Sequence, residues 1–213
     1  MAARRPTGLQ KINVKLFAKA PAAFDADVLL AIFGRWRLVE GEEIVDLADY
    51  AHVDRGPGCL LISHRWHFGI DFAEGAPGFF YSSRNGLEGT LAERICQAMR
   101  GLLEKTARLV AEPEFPADVR PSLEDLEVVF NDRILLTNTD ASDAEARPAL
   151  AQALERIHGP GPVRMEREKD PLRRLGYRVK VERTGGSSIE TMLGRLTGAG
   201  TAGEGLRDPQ LGT

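Results

Sequence analysis

The sequence has no long apolar run. Its longest uninterrupted apolar stretch is residues 28–33, whereas a membrane-spanning helix needs about 20 residues. The basic residues near the start are not followed by an apolar segment, so we do not expect a secretory signal. These two absences predict a cytoplasmic protein without a membrane span.

Cysteine is scarce. The two cysteines, Cys59 and Cys96, stand far apart in apolar stretches, and no C-x-x-C spacing occurs. A disulfide framework, a redox pair and a cysteine-based metal site are therefore not expected. Both thiols are predicted to be buried as small apolar side chains, and no cofactor is predicted.

Neither sign of charge dominates. The 213 residues include 28 basic and 31 acidic side chains, which leaves a net charge of −3, and 43% of the residues are apolar. This composition fits one globular domain. A nearly neutral chain is not expected to bind nucleic acid indiscriminately.

Two segments nevertheless carry opposite charge. Residues 39–54 contain six acidic and no basic side chains, whereas residues 164–183 are rich in arginine and lysine. Such blocks indicate either pairing within the chain or contact between subunits of a homo-oligomer. The basic segment also leaves a nucleic-acid-binding module open as an alternative function.

The apolar periodicity alternates between strand and helix spacing. Residues 11–17 alternate strictly and predict a strand, and residues 59–72 are predicted to continue as one long strand. Helices are predicted after an Asp25 cap, from Thr90 to about Ala111 behind a capping box with Glu93, and from Pro148 to about residue 157. Residues 126–130 and 134–136 are predicted to form a hairpin.

This order of elements predicts an α+β fold. The expected single domain covers residues 11–183 and has a largely antiparallel sheet with three main helices packed on it. Residues 1–10 are predicted to be a flexible leader. Residues 184–213 are rich in glycine and are predicted to be a flexible tail.

The strongest group of functional side chains lies in the middle of the first half. It comprises His64, Trp66, His67 and Asp71, to which the loop residue Arg84 adds a possible anion contact. On a strand, two histidines three residues apart point to opposite faces, so no metal site is predicted. No nucleophile motif occurs. The group predicts an enzyme site or a small-ligand site.

The predicted tail contains one amphipathic segment, residues 189–196. Ile189, Met192, Leu193 and Leu196 follow helical spacing, which predicts a short helix that orders when it binds a partner. In its layout alone, such a tail resembles the peptides that direct cargo proteins into bacterial protein shells, which implies a larger assembly as partner.

We therefore expect a non-catalytic accessory protein that binds a protein partner or a larger assembly, through its body or its tail. An enzyme or small-ligand binder that uses the His64 to Asp71 group is the first alternative. The nucleic-acid module on residues 164–183 is the second.

Overall fold

The computed structural model describes residues 8–20, 24–50, 53, 56–182 and 188–198. The strands are β1 (Ile12–Lys19), β2 (Ile44–Asp49), β3 (Pro57–Ser63), β4 (Trp66–Asp71), β5 (Gly78–Ser83), β6 (Arg120–Phe130), β7 (Val163–Arg167) and β8 (Gly176–Val181). The helices are α1 (Ala26–Glu40), α2 (Leu91–Val110), α3 (Asp140–His158) and α4 (Ile189–Leu196). In the part of the chain described, no helix is long and apolar enough to span a membrane.

The eight strands form one sheet in the order β2-β3-β4-β5-β1-β6-β8-β7. Every neighbouring pair is antiparallel, so the predicted α+β fold with a largely antiparallel sheet is confirmed. The chain follows the same order of elements twice: a strand, a helix, further strands and a closing helix. The first half is β1, α1, β2 to β5 and α2, and the second half is β6, α3, β7, β8 and α4. In both halves the first strand pairs with the last, and the halves meet where β1 pairs with β6.

The helices cover one face of the sheet, and the residues of β1 show how. Successive side chains of a strand point to opposite faces. Ile12, Val14 and Leu16 are fully buried in the apolar core beneath the helices. Asn13 and Lys15 point the other way and line an open cleft. The sheet therefore has a covered apolar face and an open polar face.

The predicted helix starts of α1 and α2 are confirmed. The Asp25 side chain accepts hydrogen bonds from the backbone N–H groups of Asp27 and Val28. Thr90 and Glu93 form the reciprocal capping box, and α2 ends at Val110. Cys59 and Cys96 are both buried free thiols.

The single long strand predicted over residues 59–72 is wrong. The chain reverses at His64 and Arg65, so β3 and β4 are two antiparallel strands in which Ile62 lies opposite His67. Ser63 Oγ accepts a hydrogen bond from the Arg65 backbone N–H at 3.1 Å. This bond stabilises a tight turn that contains neither glycine nor proline.

Two boundaries in the second half also differ from the prediction. α3 begins at Asp140 behind a Thr139 cap, so Pro148 lies inside the helix. Residues 134–136 are not a strand, because the chain turns there and the Ile134 side chain is 93% exposed. The serine and aspartate residues before Ala146 are frequent both in turns and near helix starts, and here they form the first turn of a helix that Thr139 caps.

The predicted leader and tail need correction where the structure describes them. Leu9 is buried in the core, and the Gln10 side chain exchanges two 2.9 Å hydrogen bonds with the backbone of Leu87. The remaining leader residues, 1–7, lie outside the described residues.

Residues 189–196 do form the predicted helix, but they are not a free segment. In α4, Ile189 and Met192 belong to the apolar core, with Leu193 and Leu196 packed against it. The helix lies against α2 and α3. Its apolar stripe therefore completes the domain's own core. Residues 184–187 and 199–213 of the predicted tail lie outside the described residues.

Candidate ligand-binding cleft

A cleft of about 1020 Å³ runs along the open face of the sheet. Its floor consists of the side chains that alternate away from the helices on β4, β5, β1, β6 and β8. The described lining contains eight basic and five acidic side chains. Small-molecule sites usually measure about 300–1,000 Å³ and are mostly apolar, so this cleft is large and unusually charged.

The centre of the floor carries a buried ion pair. Lys15 Nζ lies 2.6 Å from Asp71 Oδ2, and the two side chains are only 4% and 13% exposed. Glu127 lies opposite Lys15 on β6. Burial raises the pKa of Glu127, while the charge of Lys15 acts in the opposite direction. Lys15 is therefore a charge held by the floor, with little surface of its own to offer a ligand.

A second pair neutralises the neighbouring part of the floor. The Arg178 guanidinium donates two hydrogen bonds of 2.6 Å to the carboxylate oxygens of Asp125. The same guanidinium lies 3.3 Å from the centroid of the Phe17 ring. This bidentate and stacked arrangement holds Arg178 in one orientation.

His67, Ser82 and Asn13 lie side by side on β4, β5 and β1. Burial lowers the pKa of His67 below 6.5, and the positive charge of Arg84 lowers it further. The imidazole is therefore neutral at neutral pH. The Ser82 hydroxyl donates to Asn13 Oδ1 at 2.8 Å, so its hydrogen bond goes to an amide oxygen and not to a catalytic base.

One rim of the cleft carries cations that form no ion pair with any described residue. They are Arg84, Arg133, Lys169 and Arg174. All four belong to the same edge, because β5, β6 and β7 end there and β8 begins there. We call Arg84, Arg133, Lys169 and Arg174 the positive rim. It is the part of the cleft that can bind a negatively charged ligand without breaking an ion pair with a described residue.

The structure divides the predicted ligand-binding group. His67, Asp71 and Arg84 line the cleft. His64 is exposed in the turn between β3 and β4, and its carbonyl oxygen accepts a 2.9 Å hydrogen bond from Asn85. Because of the turn and the strand alternation, His64 and Trp66 do not join His67.

Trp66 belongs to the covered face. Its ring is buried in the core and stacks on Tyr81 with 6.3 Å between centroids. The Lys105 ammonium lies 3.8 Å from the Trp66 ring centroid. Burial lowers the pKa of Lys105. Trp66 therefore stabilises the packing of α2 on the sheet.

The cleft also collects side chains from the predicted basic segment. These are Arg167, Lys169, Arg173, Arg174 and Arg178. The sequence separates this segment from His67 by about one hundred residues, and only the sheet order brings them to one face. Lys15 was not predicted as a site residue. Its alternation with Ile12 and Val14 indicated only that it lies on the polar side of β1.

The described lining of the cleft contains neither a metal-binding group nor the predicted partner-binding residues of α4. Within the residues that the structure describes, no group of three or more His, Cys, Asp or Glu side chains is arranged to hold a metal ion. Ile189 and Met192, predicted to bind a partner, are buried in the core.

No protein-family model matches the chain, and no curated protein matches it significantly.

Proposed function

We propose that the protein is a non-catalytic accessory protein that binds an acidic segment of a partner protein in the cleft on its open sheet face. The observation that carries the proposal is the positive rim, Arg84, Arg133, Lys169 and Arg174, which forms no ion pair with the described residues. In this proposal the partner binds to the open face of the sheet and not to the predicted tail helix, residues 189–196.

The distribution of charge supports an acidic ligand. The floor pairs Lys15 with Asp71 and Arg178 with Asp125, so these four charges compensate one another. The excess positive charge therefore lies along one edge. Charge complementarity at such an edge accelerates association and selects an acidic partner over a basic one.

The mixed character of the lining supports a protein ligand over a nucleic acid. The cleft contains acidic side chains at Asp71, Glu74, Glu127, Glu166 and Glu168, and these repel a continuous phosphate backbone. Single-strand binders also stack bases on exposed aromatic rings. In this lining Arg178 covers the Phe17 ring, and Phe80 is only partly exposed. A short acidic peptide can bind along the rim without crossing the acidic side chains of the floor.

The test is a binding measurement with fluorescein-labelled hexaglutamate, followed by fluorescence anisotropy. Replacing Arg84 and Arg174 together by Gln is expected to raise Kd about five- to twentyfold, because two exposed charge contacts are lost. The matched control replaces Arg100 and Arg156, two exposed arginines on α2 and α3, and is expected to change Kd less than twofold.

Equal effects of the two double variants would contradict the proposal, and so would a wild-type protein that does not bind hexaglutamate. Labelled hexaglutamine is expected to bind more weakly than hexaglutamate. Oligo(dT) of ten nucleotides provides the remaining comparison. If it binds more tightly than hexaglutamate at the same salt concentration, the nucleic-acid alternative replaces ours.

A further inference from the structure

An ion pair crosses the open face of the sheet. Glu74 follows β4 in a short turn, and Arg173 belongs to the loop between β7 and β8, 99 residues further along the chain. The strands β5, β1 and β6 lie between β4 and β8. The spacing of neighbouring strands therefore separates β4 from β8 by about 19 Å. Nevertheless, Arg173 Nη2 donates a hydrogen bond to Glu74 Oε1. The two residues therefore meet over the cleft that both of them line.

Arg173 is held ready on its own side of the cleft. Its second guanidinium nitrogen, Nη1, donates a 2.8 Å hydrogen bond to Glu168 Oε2 on the same loop. If Glu74 moves away, Glu168 still orients the guanidinium, and Nη2 faces the cleft. Arg174 and Lys169 of the positive rim belong to the same loop. Arg173 is thus the guanidinium of this loop that already grips a carboxylate from across the cleft.

Glu74 is an exchangeable partner for that guanidinium. The side chains of Arg173 and Glu74 are 52% and 60% exposed, and exposed ion pairs contribute little to stability. Glu74 also has a φ of 59°, a left-handed backbone conformation that is uncommon for residues other than glycine. A ligand carboxylate can therefore replace Glu74 at small cost.

We propose that Arg173 anchors one carboxylate of the acidic ligand and that Glu74 occupies the same position while the cleft is empty. This inference rests on the proposed function. It adds a specificity-determining residue, since a ligand must offer a carboxylate at this point to replace the one it displaces. It also means that Glu74 competes with the ligand and weakens binding.

The experiment is a double-mutant cycle on hexaglutamate binding with Glu74→Gln, Arg173→Gln and the double variant. In the wild-type background, Glu74→Gln is expected to lower Kd about two- to fivefold, as the loss of one exposed competing pair implies. In the Arg173→Gln background it is expected to change Kd no more than Glu166→Gln does. Glu166 also lines the cleft but pairs with Arg164, so this control reports the general effect of removing one negative charge.

If Glu74→Gln lowers Kd equally in both backgrounds, its effect is general charge repulsion and the inference is wrong, while the proposed function stands. If Glu74→Gln raises Kd, the pair holds the cleft in a binding-competent form, which also contradicts the inference. If the wild-type protein does not bind hexaglutamate, the proposed function fails and the inference falls with it. Thermal unfolding of each variant confirms that these exposed substitutions leave the protein folded.

Discussion

Lys15 is the residue whose surroundings differ most from what its type suggests. A lysine on an open sheet face is normally solvated, yet this one is 3% exposed because Asp71 and the neighbouring strands surround it. A buried charge is stable only while its partner is present. The floor of the cleft therefore depends on this one pair.

Replacing Asp71 by Asn is expected to lower the free energy of unfolding by about 3 kcal/mol, since it removes the carboxylate that the buried Lys15 ammonium contacts directly. Urea unfolding followed by circular dichroism measures the change. Asp125→Asn is the matched control: its partner Arg178 is 38% exposed, so the expected loss is about 1 kcal/mol. A loss for Asp71→Asn no greater than the control's would show that water screens Lys15.

His67 provides a second residue-scale prediction, because two causes lower its pKa. Burial is the larger cause and the charge of Arg84 the smaller. Arg84→Gln is therefore expected to raise the pKa of His67 toward 6.5 without reaching it. NMR titration of the imidazole ring measures this pKa, with Arg100→Gln as the control that leaves it unchanged. An unchanged pKa in Arg84→Gln would place Arg84 away from the ring.

The same lowered pKa links stability to pH. Because the folded state resists protonation of His67, its contribution to stability is complete above about pH 6.5, the usual pKa of histidine, and is lost as the pH falls through the folded-state value. His67→Gln is expected to lose less stability than the wild type between pH 7.5 and pH 5. Parallel urea unfolding curves across this range make the comparison, and identical pH dependence of the two proteins would contradict it.

At the scale of single elements, α4 shows how far periodicity reaches. The spacing of Ile189, Met192 and Leu196 predicted an amphipathic helix, and the helix is there. The same pattern cannot state whether the apolar stripe packs on its own domain or on another protein. That depends on a surface of α2 and α3, whose positions come from the tertiary fold.

Met192 has no exposed surface, so Met192→Ala is expected to lower the free energy of unfolding by about 3 kcal/mol through lost burial and a cavity. Gly194→Ala lies on the same helix, the added methyl group would have nothing within 4 Å apart from the helix's own backbone and the adjacent residues, and the substitution is expected to raise the free energy of unfolding by about 0.5–1 kcal/mol. Urea unfolding measures both. An unchanged stability in Met192→Ala would mean that α4 is not docked in solution.

The turn between β3 and β4 marks another boundary of sequence-based prediction. Cys59 to Phe72 is apolar enough to continue as a strand, and His64-Arg65 carries none of the residues that usually mark a reversal. The structure turns there because β3 and β4 can both pair in register, with Leu61 opposite Phe68. This turn also decides the site, since it separates His64 from His67.

At the scale of the whole molecule, the site depends on the order of strands. The β1–β6 pair joins the two halves. One cleft is therefore lined by His67 from the first half and by several basic side chains between Arg167 and Arg178 from the second half. The α+β class, the sheet and the main helices could be predicted from local patterns. The cleft could not, because strand order is a long-range property that no local pattern contains.

The charge of the molecule also acquires meaning only at this scale. A net charge of −3 argues against an acidic ligand, but the fold gathers basic side chains on one edge of the open face. A local field of this kind, and not the net charge, governs which ligand approaches. We therefore claim that acidic ligands bind at this edge of the open face, and that the position of the basic side chains matters as much as their number.

The most direct test of that claim is a titration of ¹⁵N-labelled protein with hexaglutamate, followed by backbone amide chemical shifts in NMR spectra. We expect the largest shift changes at the rim end of the open face, at Asn13, His67, Arg84 and Gly176, and almost none at exposed positions of α2 such as Arg100. Shift changes confined to the helices, or none at all at millimolar hexaglutamate, would contradict the account.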